Sequence, residues 1–209
     1  MLIALDRQHV GKPHRLDDLG AWGDLDGDGE ASIIESEGIW TGLYLWHAEL
    51  ALREMGHSVY PMSHGRYSER HKAANEAGCD VYVAAHLNSL TGGSRSGQTA
   101  NYGAVFYDHR SSRGNGPALA DAIGAELGKL PAIGSRVRIW PAKPNDWTSR
   151  AYSTIRGVSR PVAICYEPAF LDYDKHQQAF FKSAESVAPL GLALARGIHA
   201  WGQARQGVT

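Results

Sequence analysis

The chain has 209 residues, of which 21 are Lys or Arg and 22 are Asp or Glu, for a formal net charge of −1 at pH 7. This balance, together with the absence of long runs of one sign, argues against electrostatic capture of nucleic acid or of an anionic lipid surface. The length is compatible with one α/β domain, and we expect residues 1–209 to form a single domain with a sizeable core.

The N-terminus reaches Asp6 after Met1 and only four further apolar residues, without a basic start or a small-residue cleavage site. It therefore does not have the pattern of a signal peptide. Apolar stretches elsewhere fall short of the roughly twenty residues that a membrane span requires. Two cysteines, Cys79 and Cys165, lie far apart in the sequence, and we expect two buried thiols rather than a disulfide. The predicted protein is soluble and has no membrane span.

Apolar runs alternate with segments of helical spacing along the chain. In chain order, the pattern predicts a strand at 2–5, a helix at 37–55, a strand at 58–61, a helix at 67–77, strands at 81–85 and 104–107, a helix at 117–130, a strand at 162–166 and a helix at 175–201. Residues 91–103 and 131–149 have loop composition. This alternation predicts an α/β fold, a three-layer α/β/α sandwich with a largely parallel central sheet of about six strands.

Two histidines follow predicted strands, where side chains converge at one edge of a parallel sheet. His9 comes after the first strand and His86 directly after 81–85. A catalytic zinc takes three protein ligands and keeps one open position, so a third donor is needed. Glu37 is the best candidate, because it begins the long helix on the stripe that should face the sheet. Spacing alone leaves zinc a minority hypothesis, since a single histidine is more often structural.

Glu167 follows the last apolar strand without a basic residue within four positions on either side. A carboxyl group in such surroundings should have a raised pKa, which suits a general base that later returns its proton as an acid. On this local pattern, an exposed glutamate at the start of a loop is about as probable as catalysis.

Six short motifs occur together in one order along nearly the whole chain. They are Asp6-x-x-His9 after a strand, Glu37 nineteen positions before Gly56, Arg70-x-x-x-Ala74-Asn75, residues 85–89 (AHLNS), residues 102–107 (YGAVFY) and residues 164–171 (ICYEPAFL). In this combination the chain resembles the zinc N-acetylmuramoyl-L-alanine amidases of bacterial cell separation and phage endolysins. The resemblance implies His9, Glu37 and His86 as zinc ligands, Glu167 as the acid/base, and peptidoglycan as the substrate.

The sequence departs from that family at the first ligand. Members usually carry glycine on each side of it, whereas this chain has Gln8 and Val10. We therefore expect the backbone beside His9 to be shaped differently. For Asn75 and Asn88 we favour structural roles over contacts with the site.

Residues 24–35 (DLDGDGEASIIE) match the twelve-residue EF-hand pattern at every specified position. The predicted calcium ligands are Asp24, Asp26, Asp28, Glu30 through its carbonyl, and Glu35. The alternative is an acidic turn that caps the next helix. Because positions two apart on a helix point about 200° apart, we expect Glu35 to serve calcium and Glu37 to serve zinc.

Two other functions are compatible with the sequence. The chain could be a zinc peptidase that acts within the stem peptide, or a non-catalytic module that binds the wall or is regulated by calcium. Several aromatic and basic residues cluster where a glycan or stem peptide could lie, although such residues also anchor loops: Arg136, Arg138, Trp140, Trp147, Arg150, Tyr152 and Arg156. Without an export signal, the expected setting is a phage lysin made in the host cytoplasm and acting on the bacterial wall, most simply as a monomer.

Overall fold

A computed structural model describes residues 1–15, 17–23, 25, 32–89, 101–111, 115–171 and 175–207 of the chain. The described residues contain a six-stranded sheet in the order β2-β1-β3-β6-β4-β5. Its strands are β1 (Leu2–Arg7), β2 (Ser58–Met62), β3 (Val81–Ala85), β4 (Gly103–Asp108), β5 (Val137–Ala142) and β6 (Val162–Glu167). All neighbouring strands are parallel except β4 and β6, which are antiparallel. The predicted α/β class and largely parallel sheet are confirmed.

The fifth strand lies within a segment that the sequence predicted to be a loop. β5 pairs with β4 in parallel, from Gly103 opposite Val137 to Asp108 opposite Ala142. It is an edge strand of mostly half-buried residues, and it contains Pro141. An edge strand tolerates proline because one side of its backbone needs no sheet partner. The loop prediction for 131–149 was therefore wrong over residues 137–142.

Helices cover both faces of the sheet. They are α1 (Glu37–Glu54), α2 (Tyr67–Glu76), α3 (Asn115–Leu127), α4 (Ser149–Ile155), α5 (Lys175–Gln178) and α6 (Ala184–Gln206). Helices α1, α3 and α6 bury Tyr44, Ile123 and Leu194 with the apolar side chains of one face. Helices α2 and α4 bury Ala74, Ala151 and Ile155 on the other face. These layers form the predicted sandwich.

The last predicted helix is interrupted. A short α5 leads into a 3-10 turn at Ala179–Phe181, and α6 begins only at Ala184. Ser183 is extended (φ −159°, ψ 168°), and its side chain accepts a hydrogen bond from the Ser186 amide at 3.2 Å. This N-cap begins a new helix, so the prediction of one continuous helix over 175–201 was wrong.

The parallel register aligns three strand ends. Arg7 lies opposite Ala85 and Ala85 opposite Tyr166, so β1, β3 and β6 finish at one edge of the sheet. Both cysteines are buried free thiols, as predicted. In the described part of the chain, no helix combines the length and apolar character needed to cross a membrane.

Candidate metal and catalytic site

The three predicted ligands come together at this edge of the sheet. The Oε1 atom of Glu37 lies 2.9 Å from Nδ1 of His86 and 3.7 Å from Nε2 of His9. The two imidazole rings are 5.0 Å apart between centroids. One possible ligand atom from each residue lies within 4.8 Å of the other two. The residues that the sequence singled out are thus close enough to hold one ion.

Glu37 is held at the start of α1 by backbone amides. Its Oε2 accepts a hydrogen bond from the Ala21 amide at 2.8 Å, and its Oε1 accepts one from the Leu87 amide at 2.9 Å. The side chain is buried, and burial alone would raise its pKa. The hydrogen bond with His86 and the charges of both histidines outweigh burial, and the pKa is lowered. Glu37 is therefore an ionised, preoriented carboxylate.

His9 stands in the loop after β1 with a left-handed backbone (φ 59°), which is uncommon for a residue with a side chain. Its Nδ1 lies 2.9 Å from Oδ1 of Asp18, and Asp18 also accepts a hydrogen bond from Nζ of Lys12 at 2.8 Å. Burial lowers the pKa of His9, so the ring is neutral at neutral pH. Asp18 is a residue of the candidate site that the sequence analysis missed.

Gly20 lets the loop pass close to both His9 and Glu37. Its φ is +79°, and a Cβ at this position would lie 2.8 Å from Cδ of Glu37 and 2.9 Å from Cγ of His9. Such contacts are shorter than a carbon pair tolerates, so a side chain here would displace the ligands. The geometry of the site therefore requires glycine at position 20.

A buried network beneath His9 fixes the loop. Nη1 of Arg70 lies 2.6 Å from Oδ1 of Asp6 and donates to the Arg7 carbonyl at 2.8 Å. Arg70 also donates to the Val10 carbonyl, so it holds the backbone on both sides of His9. Gln8 is fully buried and donates to Asp6. Gln8, which stands where the amidases that the sequence resembles usually have glycine, thus belongs to the network below the loop.

The donor set fits a zinc ion. Two imidazole nitrogens and one carboxylate oxygen are a recognised set of catalytic zinc ligands, which leaves a fourth position for water or substrate. Nε2 of His86 is buried and has no hydrogen-bond partner among the described residues. Nε2 of His86 is therefore available to bind a metal ion, as far as the described residues are concerned.

Glu167 ends β6 and lines the same cleft as His9, Glu37 and His86. Burial raises the pKa of its carboxyl group, and the negative charge of Glu37 acts in the same direction. The Sγ of Cys165 lies 3.7 Å from its Oε1, a weak contact. A carboxyl group with raised proton affinity beside a metal site can accept and return a proton.

Most of the predicted calcium loop, including Asp24, Asp26, Asp28 and Glu30, lies outside the described residues. Glu35 is described: its carboxylate accepts hydrogen bonds from the Leu25 amide at 2.5 Å and from the amide and hydroxyl of Ser32 at 3.0 and 2.7 Å.

The premise that Glu35 and Glu37 share a helix was wrong. Glu35 ends a 3-10 turn at Ile33–Glu35, and the extended Ser36 separates it from α1. The two carboxylates nevertheless have different surroundings, because Glu35 contacts Leu25 and Ser32 whereas Glu37 faces the histidines.

Some members of the predicted aromatic and basic cluster line the cleft, and at least one has a structural role instead. Trp147, Arg150 and Arg156 line the cleft, which has a volume of about 900 Å³. Arg136 instead donates to the carbonyls of Ile133 and Ala132 and anchors a loop.

Asn75 and Asn88 hold backbone in place. The side-chain amide of Asn75 donates to the Gly157 carbonyl, and its oxygen accepts from the amides of Ser159 and Arg160. Asn88 lines the cleft, and its Oδ1 accepts from the Ser89 amide.

No family model matches the sequence, and no curated protein matches it. Solved structures do match. N-acetylmuramoyl-L-alanine amidase AmiC2 of Nostoc punctiforme aligns at 20% identity and a TM-score of 0.71, covering 97% of each chain. Ami1 from Mycobacterium smegmatis aligns at 18% identity and a TM-score of 0.67, covering 98% of this chain and 97% of that one.

CwlV, an amidase from Bacillus (Paenibacillus) polymyxa var. colistinus, gives a TM-score of 0.67 at 18% identity, covering 97% of this chain and 98% of that one. Identities this low establish the architecture rather than the activity. The chain has the fold of N-acetylmuramoyl-L-alanine amidases.

Proposed function

We propose that this protein is a zinc-dependent N-acetylmuramoyl-L-alanine amidase that cleaves the amide bond between N-acetylmuramic acid and L-alanine in peptidoglycan. The observation that carries the proposal is the convergence of His9, Glu37 and His86 beside Glu167 in one cleft. This set stands at the carboxyl edge of the sheet, in a fold shared with amidases. The same residues carry the sequence resemblance.

Each of these side chains would have a different role in the hydrolysis. A zinc ion held by His9, Glu37 and His86 would supply a Lewis acid for the carbonyl group and would acidify water. Asp18 keeps the ring of His9 turned towards Glu37. Glu167 accepts the proton of the attacking water and then delivers it to the alanine nitrogen, so that the amine can leave. The raised pKa of Glu167 suits both transfers.

Product analysis tests the reaction. Purified, zinc-loaded protein is incubated with peptidoglycan, with and without chelator, and new chain ends are identified by mass spectrometry. An amidase releases a free alanine amine and an intact lactyl group, whereas a stem peptidase leaves the alanine attached to the lactyl group. A wall-binding module would associate with walls without lowering their turbidity. Either of these last two results would overturn the proposal.

The role of Glu167 is tested by Glu167→Gln, which removes the proton acceptor but keeps the size of the side chain. We expect turnover to fall by about 10²- to 10⁴-fold, the usual contribution of general acid–base catalysis. Zinc content should be unchanged. Glu49→Gln is a matched control, because Glu49 belongs to a surface ion pair with Arg53 on α1. Full activity of the Glu167 variant would exclude this role.

We also propose that residues 24–35 bind Ca²⁺ as a structural ion, with the ligands that the EF-hand spacing assigns. The match of the pattern supports this proposal, and so do the different surroundings of Glu35 and Glu37. Calorimetric titration of zinc-loaded protein with Ca²⁺ should give one binding event that Asp24→Asn and Asp26→Asn abolish. Absence of heat and of thermal stabilisation with the unmodified protein would refute the calcium site.

A further inference from the structure

Helix α4 forms a wall of the cleft, and its two ends contact different parts of the protein. Just before it, Trp147 packs edge-on against Trp140 of β5, with 4.7 Å between ring centroids, and lies 6.0 Å from Phe106 of β4. At its other end, Nε2 of His71 on α2 donates to the Thr154 carbonyl at 2.7 Å. The wall therefore extends from the β4–β5 side of the sheet to α2.

The wall is cationic from the first turn of α4 to α2. Arg66 immediately before α2, Arg150 on α4 and Arg156 after α4 all line the cleft, and all three are exposed. None of the three forms an ion pair with a residue that the structure describes. Lys12, by contrast, is already neutralised by Asp18. Guanidinium groups that have no anionic partner in a concave surface attract carboxylates and can bind them through two hydrogen bonds.

The β4–β5 end of the wall presents an exposed aromatic ring. Trp147 is 66% exposed, although it is braced by Trp140 and Phe106. A large indole that packs against rigid neighbours and keeps much of its surface in the cleft offers an apolar platform for the C–H face of a sugar. Glu167 ends β6, which lies between β3 and β4 in the sheet order. Glu167 therefore lies between the strands that pack under α2 and the strands that pack under Trp147.

We infer that α4 sets the direction of the substrate, with the glycan against Trp147 and an acidic stem peptide against Arg66, Arg150 and Arg156. This inference rests on the proposed amidase function and narrows its substrate class. Muramyl peptides whose carboxyl groups are free bind in the cleft, and peptides whose carboxyl groups are amidated bind less well. The preference is electrostatic and therefore falls as salt screens the charges.

The test compares two soluble N-acetylmuramyl peptides of one sequence, with the peptide carboxyl groups either free or amidated, as substrates of the zinc-loaded protein. If each of two exposed ion pairs contributes about threefold, kcat/KM for the free form should exceed that for the amidated form by about tenfold, mainly through KM. The preference should shrink in 0.5 M salt. Trp147→Ala should raise KM for both substrates alike.

The double variant Arg150→Gln/Arg156→Gln should remove the preference, and Arg160→Gln should keep it. Arg160 is a matched control, because it is exposed and precedes β6 at the opposite edge of the sheet. If the double variant fails to fold, Arg66→Gln tests the same cluster from another element and should lower the preference by about two- to fivefold.

The possible results separate the two proposals. Equal kcat/KM of the unmodified protein on both substrates, or a preference that survives loss of these arginines, would overturn the inference and leave the amidase function intact. Cleavage of neither substrate at the muramyl amide would instead refute the proposed function.

Discussion

Nδ1 of His9 lies 2.9 Å from Oδ1 of Asp18, so the opposite nitrogen of the ring points towards Glu37. A carboxylate at Nδ1 selects the tautomer that carries its proton there and leaves Nε2 free as a metal ligand. Asp18 is fixed in turn by Lys12 and by the Gly20 amide. These contacts orient the His9 ring without any contribution from a metal ion.

Asp18→Asn should weaken zinc binding. The amide cannot provide the same charge at Nδ1, and loss of such a partner typically lowers metal affinity about 10- to 100-fold. The affinity is measured by competition with a fluorescent zinc chelator. Asp17→Asn is the control, because Asp17 is an exposed neighbour. Equal affinities for the two variants would mean that Asp18 does not orient His9.

Some parts of this protein could be predicted because neighbouring residues in the sequence form a recognisable pattern, and other parts could not because they lack such a pattern. Strands such as Val81–Ala85 are buried throughout, and their continuous apolar runs are visible in the sequence. β5 has no such run, because it is an edge strand of half-buried residues interrupted by Arg138 and Pro141. His9, Glu37 and His86 could be predicted to lie together because they stand near the ends of recognisable elements and match the pattern of the amidases that the sequence resembles.

Asp18 and Gly20 lie in an irregular loop, where no periodicity indicates which side chains face inward. The contact between Asp18 and His9 depends on the left-handed backbone of His9 and on the amide of Glu37, which donates to the Ala21 carbonyl at 2.8 Å. The sequence analysis had no signal for either feature. These residues become evident only once the loop is seen folded against the start of α1.

Gly20→Ala should also remove zinc, for a steric reason. The added methyl group would collide with the carboxylate of Glu37 and the ring of His9, and φ of +79° is unfavourable for alanine. We expect metal content after dialysis to fall to a small fraction of that of the unmodified protein. Gly56→Ala is the control, because Gly56 has a similar φ of +81° but open space around it. Full zinc content in the Gly20 variant would contradict the close approach.

Glu35→Gln and Glu37→Gln should have different effects, one on thermal stability and the other on zinc binding. Glu37→Gln should eliminate stoichiometric zinc, because an amide replaces the only carboxylate of the donor set. Glu35→Gln should keep zinc but lower the melting temperature, because Glu35 accepts hydrogen bonds from Leu25 and Ser32. Atomic absorption and thermal denaturation measure the two effects. Full zinc in the Glu37 variant would invalidate the ligand assignment.

Zinc affinity should fall as the pH is lowered. Burial lowers the pKa of His9, so this ring is already neutral. Burial would also lower the pKa of His86, but the hydrogen bond and charge of Glu37 outweigh it and raise the pKa. A proton on His86 must leave before the ring can bind metal, so protonation competes with zinc.

Because the pKa of His86 is raised, the decline should begin above the ordinary histidine pKa of about 6.5 and approach about tenfold per pH unit below it. Chelator competition between pH 5.5 and 8 measures zinc affinity, and activity should decline over the same range. An affinity that does not change across this range would count against histidine ligation.

The buried ion pair between Arg70 and Asp6 should be far more important for stability than a surface pair. Arg70 is 1% exposed, and it donates to Asp6 and to the carbonyls of Gly65, Arg7 and Val10. Arg70→Ala would leave a buried carboxylate without its cation, which typically costs about 3–5 kcal/mol. Arg53→Ala, in an exposed pair with Glu49, should cost about 0.2–1 kcal/mol.

Urea unfolding of both variants in chelator measures these free energies without a contribution from bound metal. If Arg70→Ala still folds, its zinc affinity should also fall, because the backbone on either side of His9 loses its anchor. The Arg53 variant should keep full affinity, since its ion pair lies on the outer surface of α1. Similar unfolding free energies for the two variants would mean that the network beneath His9 does not stabilise the fold, and equal zinc affinities would mean that it does not position the His9 loop.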